Sequence, residues 1–300
     1  MTFFRFMTAM LVGMVILMPS GAQVPIQDDT LTLQIVLQGF NDAVTVEVDP
    51  LNNVYVLDRL QGTITKWSPG GKAQVFGGRG SIGGQFESPS DLDATTGFLF
   101  LIADTGNGRI QRLGSDLVFL ESLAPDERGS VSGRGAIDHQ FEAGRGNLSV
   151  SFSPIALSSS PDGRVFAVDR SGSAIYEWTS NRQQVNRLSL GVNQRFQPTD
   201  LDVFGNSMFI TDDSRNRVIV ADLFGNELMS FGEEVLHHPL ALQVNQRFIV
   251  VLDGDRLVFF NRQGNLVRIA SIPSRDAPTD FYIRGSAIYL TDRNNLYVSR

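Results

Sequence analysis

Short runs of β-branched and aromatic residues recur six times along the chain, each ending in Asp and each followed by a polar turn and a second apolar run. The six are VYVLD ending at Asp58, LFLIAD at Asp104, RVFAVD at Asp169, MFITD at Asp212, FIVVLD at Asp253 and AIYLTD at Asp292. Their length and alternation predict strands, and the Gly, Asn and Ser that follow predict tight turns. The intervals between the aspartates are 46, 65, 43, 41 and 39 residues, the length of one four-stranded propeller blade. The expectation is an all-β, six-bladed β-propeller.

The long second interval does not hide a seventh repeat. GRGSIGGQFE from Gly78 returns as GRGAIDHQFE from Gly133, so the connecting loop is kept and insertions flank it. Only eight residues follow Asp292, which leaves the sixth blade without an outer strand of its own. The alternating segment LTLQIVL, Leu31 to Leu37, supplies it, so the reading is a ring closed by an N-terminal strand with no free sheet edge there.

The fullest copy, GGRGSIGGQFESPSDLDA from Gly77 running into LFLIADTGNGRIQRL, resembles the NHL repeat. The resemblance spans residues 31 to 300 and implies a six-bladed ring with long loops between blades on the face where the innermost strands start. It specifies fold rather than activity.

The six anchor aspartates precede turns in which a carboxylate accepts backbone N–H bonds, so they are expected to be structural. Arg109 and Arg217, five residues after their anchors, are expected to pair with nearby carboxylates. A second set is more suggestive. Two residues after Pro, at the start of the innermost strand, blades 2, 4 and 6 carry Asp91, Asp200 and Asp280, whereas blades 1, 3 and 5 carry Thr45, Ala156 and Ala241. On the geometry that the resemblance implies, three carboxylates ring the channel mouth, where oxygen ligands suit a divalent cation such as calcium or a cationic ligand group. The alternative is that each Asp caps its own loop or meets an Arg. Gluconolactonase-like propellers are similar in holding calcium near these strand starts, but the position corresponding to their ligand is here Ser90, Thr199 and Thr279. Zinc-dependent lyases of this fold use histidines; His139, His237 and His238 lie in inter-blade loops without zinc-ligand spacing.

The first 22 residues differ from the rest. Arg5 precedes an apolar run from Phe6 to Met18, and Ser20-Gly21-Ala22 offers small residues for cleavage before Gln23. This reads as a signal peptide too short to span a bilayer, leaving residues 23–300 as one propeller domain in the periplasm or outside the cell. The chain has no cysteine and a formal charge of −7. That balance disfavours nucleic acid, and with it the RNA binding of the NHL domains in tripartite-motif proteins.

The functional expectation is a monomeric, noncatalytic binding or scaffolding propeller that recognises a protein, peptide or glycan on its loop-rich face. The alternative is a metal-dependent enzyme of the lactonase or lyase kind. The resemblance implies that the insertions around Gly133 to Phe141 lie beside the channel mouth, so Arg134, His139 and Arg145 join Asp91, Asp200 and Asp280 as candidate ligand-binding residues, the alternative being an idle surface insertion. No cofactor is otherwise implied.

Overall fold

The computed structural model describes residues 27–125, 152–170, 174–181, 185–190, 196–273 and 276–299. Its strands form six sheets, each with four antiparallel strands built around one anchor aspartate. The innermost strands are Ala43–Val48, Asp91–Asp93, Pro154–Ser159, Pro198–Phe204, Pro239–Val244 and Pro278–Arg284. Each packs against the next, and the last against the first, so the sheets close into a six-bladed ring.

In each blade the second strand is the anchor strand, and those of blades 1, 3 and 5 (VYVLD, VFAVD and IVVLD) are buried at every position. Such strands read as continuous apolar runs because neighbouring sheets cover both of their faces. The core is accordingly divided into layers between blades: Tyr55, Leu57 and Ile64 of blade 1 pack with Leu92, Phe100 and Ile102 of blade 2. Phe209, Val218 and Val220 of blade 4 pack in the same way with Val251, Val258 and Phe260 of blade 5.

The ring closes through the N-terminal segment. Strand β2 (Gln34–Gln38) pairs antiparallel with Asn295–Ser299 as the outer strand of the blade containing Asp292. It begins three residues later than the alternation predicts, because Leu31 and Leu33 are drawn onto the apolar layer between blades 5 and 6. Ahead of it, β1 (Gln27–Thr30) adds a fifth strand to blade 5, parallel to Leu266–Ser271. Sequence patterning did not foresee β1, since Gln-Asp-Asp-Thr has no apolar alternation.

The anchor aspartates hold the chain where it enters the next turn or loop. Asp104 is fully buried; its Oδ1 accepts the amide of Glu87 and its Oδ2 accepts from Asn107, Arg109 Nε and Gln111. Asp212 likewise accepts the Gln197 amide and pairs with Arg217 at 3.1 Å. Asp58, Asp169, Asp253 and Asp292 also accept backbone amides. The structural reading of the anchors and of both arginines therefore holds.

Candidate functional site: an acidic central channel

The first residue of an innermost strand pairs with the anchor aspartate, as Pro198 does with Asp212 and Pro278 with Asp292. Strand starts and anchors thus share one face, the loop face, and the hairpins between the first and second strands lie on the other, the turn face. Just after the strand start the register shifts by a bulge in five of the six blades. A bulge re-aims the following side chains, and from there the two-residue period carries every second one toward the ring axis.

Two tiers of side chains result. The upper tier is Thr45, Asp91, Ala156, Asp200, Ala241 and Asp280; two residues deeper lie Glu47, Asp93, Ser158, Asp202, Gln243 and Tyr282. All but Ala156 line one cavity of about 270 Å³. Six are carboxylic acids, and no Lys, Arg or His is among the described residues of its wall. The three aspartates singled out by sequence are thus brought together around the channel. Glu47, Asp93 and Asp202 were missed, although the recurrence of Asp-Leu-Asp at 91–93 and 200–202 carried the period-2 signal that places both acids on one face.

Among the described residues, none of the three upper aspartates meets an arginine. Each instead joins its own blade to the next. Asp91 accepts the amide of Leu92 at Oδ1 and that of Leu157 in blade 3 at Oδ2, at 2.8 and 2.7 Å. Asp200 does the same with Leu201 and with Leu242 of blade 5, and Asp280 accepts Val46 of blade 1 at 2.8 Å. The lower tier repeats the device: Asp93 takes Ser159, Asp202 takes Val244, Gln243 takes Ile283 and Ser158 takes Val203. Ser90 and Thr199 complete the stitch by donating to the carbonyls of Pro154 and Pro239 in the following blades. Innermost strands have an exposed hydrogen-bonding edge, and these side chains satisfy it across the gap.

The lower-tier Glu47 differs: its Oε2 is buried with no hydrogen-bond partner. Crowding of like charges in a poorly solvated wall favours the neutral acids. Burial, opposed by the two amides and reinforced by the charge of Asp93, pushes Asp91 up to about 7. Burial likewise takes Asp202 to about 6. Glu47 is raised by burial and then by Asp93 and Asp280, Asp200 by burial and then by Asp91 and Asp280, and Asp280 by burial with Asp91 adding. The Tyr282 phenol is also raised, first by burial and then by the charge of Glu47.

Among the described residues, no three His, Asp or Glu side chains stand close enough to hold one metal ion between them. The carboxylates surround the cavity instead of converging on a point. His237 and His238 lie outside the cavity wall, with His238 Nδ1 at 2.7 Å from Asp213 Oδ1. Arg134, His139 and Arg145 lie outside the described residues.

No protein-family model matches the sequence, and no curated protein matches it. Solved structures do. The chain shares its fold with streptogramin B lyases. One, described as a streptogramin B lyase structure, superposes with a TM-score of 0.61 at 12% identity, over 90% of this chain and 87% of that one. A catalytically inactive virginiamycin B lyase from Staphylococcus aureus with quinupristin gives 0.64 at 10% identity, over 90% and 99%. Selenomethionine-substituted virginiamycin B lyase from the same organism gives 0.59 at 12% identity, over 87% and 82%. At this identity the likeness establishes the propeller and nothing of its chemistry.

Proposed function

We propose that this chain is an exported, noncatalytic binding propeller of NHL type that takes a cationic group of a protein or peptide ligand into its channel from the loop face. The carrying observation is the cavity wall, with six carboxylic acids and no basic residue among the described residues. A lysine ammonium or arginine guanidinium entering there meets acceptors on several sides, and each carboxylate keeps spare lone pairs beyond those given to backbone amides. A guanidinium or ammonium head is broad enough to touch several walls of a cavity whose acids do not converge. Export rests on the Arg5 to Ala22 leader pattern, and the NHL assignment on the repeat motif from Gly77.

Calorimetric titration of the mature protein with short arginine- and lysine-containing peptides tests this reading. Expected are saturable binding that weakens with salt and its loss in Asp200→Asn/Asp280→Asn. No binding by any cationic peptide, or binding indifferent to that double substitution, would refute it.

A second reading, a lyase-type enzyme with a divalent cation near Asp91, Asp200 and Asp280, draws on the fold shared with streptogramin B lyases. Elemental analysis together with a streptogramin B cleavage assay separates it from the first.

A further inference from the structure

The turn face carries a different surface. The hairpin tips of blades 1 and 2 touch: Gly97 comes so close to Pro50 that a Cβ there would lie 2.8 Å from the proline Cδ. This contact sets Leu51, 75% exposed, beside Phe98, 78% exposed. The apolar surface continues outward over blade 2, where exposed Leu99 pairs with Gly114, and Gly114 in turn abuts Val118 and Leu120, both more than half exposed. Isolated exposed apolar residues are ordinary, but a contiguous group at protruding tips marks an interaction surface.

Its charged border is basic. The chain's two lysines both fall on blade 1. Lys66 sits over the ring of Tyr55, whose hydroxyl bonds Asp49 in the Leu51 hairpin, and Lys72 is exposed in the turn between the two outer strands. Arg284 of blade 6 donates to Asn52 of the same hairpin at 2.7 Å. Of the acids here, Asp49 is buried and bonded to Leu51, Asn53 and Tyr55. Asp116 is exposed and accepts the Val118 amide. Glu121, next to Leu120, is paired with Arg112, so the border has three cations against the exposed carboxylate of Asp116, in a chain whose overall charge is −7.

We propose that this sector of the turn face docks on an anionic lipid surface, with Leu51 and Phe98 inserted at the headgroup level and Lys66, Lys72 and Arg284 facing the phosphates. Apolar tips with flanking cations are the combination that interfacial anchoring requires. The opposite, loop face then points away from the bilayer with its channel open.

The test is sedimentation of the mature protein with vesicles of phosphatidylcholine alone or mixed with phosphatidylglycerol, at low and high salt. Binding is expected to the mixed vesicles, to weaken in high salt, and to be much poorer on pure phosphatidylcholine. Leu51→Glu/Phe98→Glu should lower partitioning by on the order of a hundredfold, about tenfold for each side chain withdrawn from the interface. Lys72→Glu should abolish the preference for phosphatidylglycerol, and Phe224→Glu, an exposed tip on blade 4, should change nothing. Because every substituted side chain is exposed, circular dichroism should be unaltered throughout. Absence of wild-type binding overturns the proposal, as does binding insensitive to Leu51→Glu/Phe98→Glu. Dimerisation in sedimentation velocity that this double substitution abolishes would also overturn it, by assigning the patch to a second copy.

Discussion

Replacing Asp91 with Asn separates the two duties of the channel acids, clasping blades and carrying charge. Asp91 is raised from 3.8 to about 7, so the folded state binds a proton more tightly than the unfolded chain does. The associated stability is fully present below about pH 4 and is lost as pH rises toward 7. Taken alone, this group costs on the order of 2–3 kcal/mol between pH 5 and pH 8, and Asp202, at about 6, costs on the order of 1 kcal/mol more. Shared protons make the sum smaller, so the wild type should lose about 3 kcal/mol over that range.

The Asn variant has one carbonyl oxygen where Asp91 uses two. One amide then faces an NH2 group, at a cost of about 1–3 kcal/mol at any pH. The variant should therefore gain on the order of 2–3 kcal/mol relative to wild type from pH 5 to pH 8, so that most or all of its deficit disappears at the upper end. Urea unfolding at both pH values measures this, and urea is preferable to guanidinium because the latter is itself a candidate ligand. Wild-type stability that is flat or rising over this range, or a variant that tracks it in parallel, would show that the channel acids are ionised without penalty.

Asp104→Ala removes the acceptor of Arg109 Nε and of the Glu87 amide while Arg109 keeps the Ile82 and Gln85 carbonyls, so unfolding free energy should fall by about 2–4 kcal/mol; unchanged stability with altered ligand binding would mean the anchor contacts ligand. Deleting residues 27–38 removes both β1 and β2, and an unshifted unfolding midpoint would rule out the ring closure. Gly77→Ala at φ +88° would set a Cβ 2.8 Å from the Phe86 ring and 2.9 Å from the Gly62 carbonyl. It should cost about 2 kcal/mol, which thermal melting can detect.

The sequence disclosed those features that repeat. Asp-ended strands return at blade intervals, and the apolar positions of Leu31 to Leu37 marked the closing segment even though only Gln34–Gln38 forms the outer strand. The upper tier was legible from the Pro-Ser-Asp and Pro-Thr-Asp contexts. Its purpose was not, because Asp91 meets Leu157 across 66 positions of chain, a pairing set by the angle between adjacent blades. Expecting each Asp to cap its own loop or meet an Arg was therefore only half right: an amide of its own strand is bound, but the second partner is the next blade. The lower tier went unread because Glu47, Asp93, Asp202 and Tyr282 share a depth in the channel but no common residue type.

The belt formed by β1 and β2 also bears on the order of folding. Its partners, Leu266–Ser271 and Asn295–Ser299, are made after blades 1 to 4, more than 200 positions downstream. Until they exist, the N-terminal segment has no sheet to join, and blades 1 to 4 stand as an open arc with unsealed ends. Contacts of such separation are slow to form. The arc is therefore the species most exposed to wrong edge pairing, and the two strands that the belt joins, more than any single blade, decide whether a molecule reaches the closed ring.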